Sequence, residues 1–232
     1  MGLLAKFLRK KENKYDHIIS LEYNCEVAFR FLKYFKFEES NLFNWSYVRT
    51  MDDLINAISN FDKIGAGEFS EPNPLWECKN TNIRFHGKLP MNLHINKMIT
   101  EEDKNRDKEE LKSRLSYLKE KFLKTLKDES RKLYIYKIKS TDIDENTNFK
   151  LVTLIEKLKN LGGKNFQLLV VSEEKVQLSI NQAYLYRTVK HFAPDSDVTS
   201  RKYLKNGWNK IFDEFYQPKI KAKKKKYKFG EI

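Results

Sequence analysis

Few side chains in this chain could do covalent chemistry. There are two cysteines, Cys25 and Cys78, and four histidines, His17, His86, His94 and His191. Cys25 stands in Ser-Leu-Glu-Tyr-Asn-Cys-Glu (20–26), behind the apolar pair Ile18 and Ile19 and ahead of a helical spacing. A thiol in the first turn of a helix meets the positive end of the dipole and backbone N–H groups, which favour the thiolate. A histidine within reach would make a nucleophile–base pair. The same position also suits a small buried apolar residue. Glu22 and Glu26 put negative charge close to the thiol and work against ionisation.

The four histidines differ in setting. His17 falls in a short apolar strand and reads as a packed strand residue. His86 precedes a glycine in Arg-Phe-His-Gly, His94 lies in a loop-like stretch, and His191 ends a strand with Asp195 and Asp197 nearby. A histidine at a strand end with carboxylates around it could be an oriented base. Asn44 and Trp45 could line a pocket, with Asn44 orienting a substrate or an imidazole, and Trp76 could cover a site from a loop. Cys78, His86 and His94 are spaced eight apart, which matches no metal-ligand motif, so no metal is expected. Gly65 and Gly67 follow a helix, not a strand, and no Lys-Ser/Thr pair comes after them. No nucleotide or other cofactor is expected.

The elements that must position these residues follow from periodicity. Residues 15–21 read as a buried strand. A helix then starts at an Asn24 cap, with an apolar stripe at 25, 28, 29, 32 and 35. Residues 40–48 read as a second short strand, and Thr50 with Asp52 and Asp53 starts a helix to about Phe61. Residues 62–99 are broken by glycine and proline and read as irregular, with short strands such as Asn82–Gly87. Thr100 caps a long helix with the stripe Leu111, Leu115, Leu118, Phe122 and Leu126. A strand over 132–139, a helix over 149–161 ended by Gly162 and Gly163, and a strand over 165–172 follow. A further strand is expected over 182–192, and a final helix or helix pair over 200–216. Strand–helix–strand over 132–172 fits a right-handed parallel crossover. The fold class expected is α/β, a mainly parallel sheet with helices on both faces in three layers. Ligands of such sheets bind beyond the carboxyl ends of the strands, where Cys25 falls.

The chain has 232 residues and a net charge of +13, of which residues 1–14 carry +4 and residues 219–232 carry +6, leaving +3 for the rest. Nucleic-acid-binding domains place such charge on the folded body, so nucleic acid is disfavoured as a partner. Basic ends suit an anionic membrane surface. In residues 1–14, Leu3, Leu4, Phe7 and Leu8 share one helical face and Lys6, Arg9 and Lys10 largely the other, an interfacial-helix pattern. That segment lacks the pattern of a signal peptide, and no run is long enough to span a bilayer. Two cysteines make no disulfide framework, which fits a reducing, intracellular setting. The organisation expected is a basic amphipathic segment at 1–14, one α/β domain at 15–218 and a Lys-rich tail at 219–232. The location expected is cytoplasmic, peripheral at the inner membrane face.

Four segments together carry a resemblance: Ile-Ser-Leu-Glu-Tyr-Asn-Cys-Glu-Val-Ala-Phe (19–29), Asn-Leu-Phe-Asn-Trp-Ser-Tyr-Val (41–48), Arg-Phe-His-Gly (84–87) and Gly-Trp-Asn-Lys-Ile-Phe-Asp-Glu-Phe (207–215). The chain resembles a bacterial family of unknown function described as papain-like cysteine peptidases. The resemblance marks Ser20, Leu21, Asn24, Cys25, Phe43, Trp45, His86, Trp208, Ile211 and Phe212. Glu22 stands where the family has glycine and Asn44 where it has aspartate. It implies Cys25 as nucleophile, His86 as general base and Asn44 as the orienting group, with the helix start near Asn24 as the oxyanion site. From their own settings, Asn24, Trp45, Trp76 and His191 are the residues expected to contact substrate. The resemblance also leaves a papain-like α+β arrangement as an alternative fold. The function implied is a Cys/His-dependent hydrolase or group transferase near the cytoplasmic membrane face, in cell-surface glycan biosynthesis. The substrate would be a small molecule or a glycan- or peptide-linked acyl bond. The alternative is a non-catalytic factor that binds a sugar intermediate during surface polysaccharide assembly.

Overall fold

Two apolar runs form the centre of a parallel sheet. Strand β6 (Lys132–Lys137) is buried at all six positions, and β7 (Phe166–Glu173) is buried from Leu168 to Ser172. They pair in parallel from Lys132↔Phe166 to Lys137↔Val171. Strand β1 (His17–Ser20) adds to the outside of β6, and β8 (Leu185–Val189) to the outside of β7, both in parallel. The order is β1-β6-β7-β8. The computed structural model describes residues 15–21, 23–35, 41–44, 46–71, 75–89, 99–174, 182–194 and 197–215.

Side chains alternate across these strands, as the pleat requires. Leu133, Ile135, Leu169 and Val171 join a cluster with α1 (Glu26–Phe35) and α5 (Trp208–Phe215), through Val27, Phe31, Trp208 and Phe212. Tyr134, Tyr136, Leu168 and Val170 join the other cluster. That cluster holds α2 (Met51–Ser59), α3 (Glu101–Lys127) and α4 (Thr147–Asn160), through Leu54, Phe122 and Leu154 among others. Helix α4 carries the chain from β6 to β7 and packs on α2. It ends where Gly162 takes φ of +100°, a conformation glycine adopts without strain.

The expected parallel sheet is present, but it is half of the β structure. A second, antiparallel sheet lies in residues 46–85, with order β2-β5-β4-β3. Its strands are β2 (Ser46–Tyr47), β3 (Phe69–Ser70), β4 (Trp76–Cys78) and β5 (Ile83–Phe85). The fold is α/β, with a four-stranded parallel sheet, a four-stranded antiparallel sheet and helices. Strands of two or three residues are too short to show an alternating pattern, so most of this sheet reads as loop in the sequence. The strand expected over 40–48 shrinks to Ser46–Tyr47. Before it, Leu42–Asn44 form a turn in which Asn44 N donates to Asn41 O at 3.2 Å.

Several expected boundaries hold within a few residues. Thr100 caps α3 through a capping box with Asp103. The last segment divides into a 3₁₀ helix (Arg201–Asn206) and α5, joined at Gly207 with φ of +130°. The face of α1 differs from the expected stripe: its buried residues are Glu26, Val27, Ala28, Arg30 and Phe31, so two charged residues are buried and Leu32 and Phe35 only partly so. Among the described residues no helix is long and apolar enough to cross a membrane. The basic segments 1–14 and 219–232 lie outside the described residues.

Candidate active site

Cys25 lies where the chain leaves the carboxyl end of β1 and enters α1. Two backbone ties fix this turn against the sheets. Leu21 N donates to Ile135 O of β6 at 2.8 Å, and Val48 N, just past β2, donates to Tyr23 O at 3.2 Å. The second tie draws the antiparallel sheet to the turn, and the Tyr23 and Tyr47 rings pack 5.4 Å apart beside it. Asn24 caps α1, its Oδ1 accepting from Glu26 N at 3.2 Å.

His86 follows β5 directly. The register β2–β5 pairs Ser46 with Phe85, so the strand end bearing His86 reaches the Cys25 turn. Cys25 Sγ stands 3.5 Å from His86 Nε2, a hydrogen-bond distance for sulfur. Both residues are half-buried. Burial, and secondarily the nearby Arg114 guanidinium, hold the imidazole's pKa below its ordinary value, which favours the neutral form.

Helix α3 anchors the segment that carries His86. Arg114 donates to the His86 carbonyl. Asp107, almost fully buried, accepts from Trp76 Nε1 at 2.6 Å and from Lys88 N at 2.5 Å. Gly87 lies between them, and a Cβ there would fall 2.0 Å from Asp107 Oδ2. Beside this anchor is a cavity of about 430 Å³, lined by Lys88, Asp107, Glu110, Arg114 and Tyr117 among others, but by neither Cys25 nor His86.

The charge beside Cys25 differs from what the sequence suggests. Glu26 is fully buried and does not stand alone. Its carboxylate meets Lys137 Nζ at 2.9 Å and Arg30 Nε at 3.5 Å, and accepts from Ala193 N at 3.0 Å and Trp208 Nε1 at 3.3 Å. Lys137, also buried, is the last residue of β6, and its Nζ reaches Asn24 Oδ1 at 2.7 Å. Glu26, Arg30 and Lys137 are the residues sequence reasoning missed. The available signal was a lysine in an otherwise apolar strand, Lys-Leu-Tyr-Ile-Tyr-Lys, which must find a partner if the strand is central.

The other sequence candidates fall as follows. Asn44 ends the turn before β2, two residues ahead of the Ser46–Phe85 pair. Trp76 is on β4 and buried, so it is part of the wall behind His86, not a loop cover. His191 is exposed, with its ring edge-on to Tyr203 at 5.8 Å, and its loop reaches the site through Ala193. His17 pairs with Lys132 in the sheet register. Glu22, Trp45, His94 and Asp195 lie outside the described residues. Among the described residues no three His, Cys, Asp or Glu side chains are grouped to hold a metal ion.

A thiol, an imidazole and a helix N-terminus in this arrangement can make and break a thioester. Scans against protein-family models, curated proteins and solved structures each found no match.

Proposed function

We propose that this protein is a Cys/His-dependent hydrolase or group transferase with Cys25 as nucleophile and His86 as general base. The observation that carries the reading is the 3.5 Å approach of Cys25 Sγ to His86 Nε2, between residues 61 apart in the sequence that follow strands of different sheets. The lowered proton affinity of His86 supports it, since a base must be unprotonated to act. The resemblance to papain-like peptidases agrees with it. In the same reading the two apolar clusters are the two faces of a three-layer α/β sheet, and the site lies beyond its strand ends.

The steps balance as follows. Cys25 Sγ bonds to an acyl carbon while its proton passes to His86 Nε2. That proton goes to the leaving nitrogen or oxygen as its bond to the acyl carbon breaks. Water, or an acceptor hydroxyl or amine, then attacks the thioester and yields its proton through His86 to the departing sulfur. The α1 N-terminus beside Cys25 favours the transient negative charge. Asn44 would orient the imidazole. The substrate proposed is a glycan- or peptide-linked acyl group, met at an anionic membrane surface through segments 1–14 and 219–232.

The test is alkylation of Cys25 by iodoacetamide across pH, read by peptide mass spectrometry so that the buried Cys78 does not contribute. A nucleophile of this kind titrates below about 8.5, the ordinary thiol value. Titration at or above that value refutes the reading and favours the non-catalytic, sugar-intermediate-binding alternative.

A further inference from the structure

Among the described residues, the fully buried charges beside the Cys25 turn are one anion and two cations. Glu26 is one anion, and two cations touch it: Lys137 from β6 and Arg30 one helical turn on. Arg30, fully buried, also donates to Ser200 O and packs its guanidinium over Tyr203 at 5.2 Å, with Asp197 nearby. Lys137 faces inward. Its Nζ bonds Asn24 Oδ1 and Glu26 Oε2, the residues on either side of Cys25, and lies 4.8 Å from the Phe192 ring centre and 5.6 Å from that of Tyr23. Lys139 lies over Tyr23 at 4.1 Å, and Glu173 is occupied with Phe192 N at 2.9 Å. Against Cys25 itself stands the His86 imidazole.

A buried amine is retained against its desolvation cost only where its bonds are made, and here both polar bonds go to the neighbours of one residue. We propose that Lys137 is the positioning residue of Cys25: it clamps both flanking residues and places positive charge against the carboxylate of Glu26, which favours loss of the thiol proton. This rests on the nucleophile reading of Cys25 and deepens it. Fixed cationic charge does for the sulfur what a protonated histidine does in a resting ion pair, while His86 stays neutral and able to accept the proton. The carboxylate of Glu26, adverse to a thiolate in the bare sequence, becomes the anchor of the cation that offsets it.

The test is the pH dependence of Cys25 alkylation in wild type, K137M, E26Q, the E26Q/K137M double variant and K137R, with folding followed by circular dichroism. K137M removes one positive charge and raises the thiol pKa by about one unit or more. E26Q removes the negative charge and lowers it. The double variant returns towards wild type, and K137R stays near it. A purely structural role for Lys137 would not give shifts of opposite sign. If K137M does not fold, the double variant compared with E26Q reads the same charge, and the double must titrate about one unit higher. A wild-type thiol below about 8.5 with variants that do not move, or that move in the same direction, overturns the Lys137 assignment alone. A wild-type thiol at or above that value overturns the nucleophile reading and this inference together.

Discussion

Replacing Gly87 with alanine tests the anchor behind His86. Gly87 needs space, not a left-handed backbone: its added Cβ would sit 2.0 Å from Asp107 Oδ2 and 2.8 Å from Trp76 Nε1. Asp107 must swing away by about 1 Å or more to restore van der Waals contact. That breaks its 2.6 Å bond to Trp76 Nε1 and disturbs the 2.5 Å bond from Lys88 N. A hydrogen bond to a charged group contributes roughly 1.5–3 kcal/mol. One bond lost and one weakened, with a buried indole N–H left unmet, gives a cost of about 3 kcal/mol. For a domain of this size that lowers the melting temperature by roughly 6–12 °C. Thermal unfolding followed by circular dichroism measures it. The mechanism also predicts strong coupling to Asp107: once D107A has removed the carboxylate, adding G87A costs clearly less than it does alone, because only the contact with Trp76 Nε1 remains. A G87A protein that melts within about 2 °C of wild type, or G87A and D107A effects that simply add, refutes the reasoning.

Other outcomes follow from the same geometry. Lys132 is buried with its amine on three backbone carbonyls, Asp128 O at 2.6 Å, Lys164 O at 3.0 Å and Leu126 O at 3.4 Å. K132M leaves the end of α3 without its donor and lowers stability by about 3 kcal/mol, read as a shift in urea midpoint. His86 is predicted to set an acid limit. Unfolded, its imidazole protonates near pH 6.5; folded, burial and then Arg114 push that lower. The unfolded chain therefore binds the extra proton first, so this group's contribution to stability holds above pH 6.5 and is lost as pH falls from there through the folded pKa. H86Q should flatten that part of the stability profile, and wild-type activity should persist below pH 6.5. Removal of residues 1–14 and 219–232 should abolish flotation with anionic vesicles and leave binding to neutral ones unchanged.

Much of the parallel core was legible because its signals are local and long. The run Asn165–Ser172, the heptad-like stripe of α3 and the Thr100 cap each state their element within a few turns of chain. The position of Cys25 at a strand end was legible for the same reason. Two things were not. The antiparallel sheet is built from strands of two and three residues, whose pairing depends on register between segments and not on any periodicity within one. The face of α1 was misread because Glu26 and Arg30 count as solvent-facing on any hydropathy scale, whereas their burial depends on Lys137, 111 residues away from Glu26. The sequence shows that lysine, but not that its strand pairs beside β1.

The site therefore rests on polar ties more than on apolar packing. Apolar contacts tolerate small slides between layers, so they would not by themselves hold a sulfur and an imidazole, carried beyond the ends of strands in two sheets, at 3.5 Å. Directional bonds do that better. On the Cys25 side the ties are Lys137 to Asn24 and Glu26, and Leu21 N to Ile135 O. On the His86 side they are Arg114 to the His86 carbonyl and Asp107 to Lys88 N. Tyr23 O, held by Val48 N, joins the two halves directly. A buried ion pair is weak grounds for stability, because its desolvation cost nearly offsets its attraction. Here the buried cation has a second task that stability alone does not explain: it holds the side chains on both sides of the thiol that faces His86.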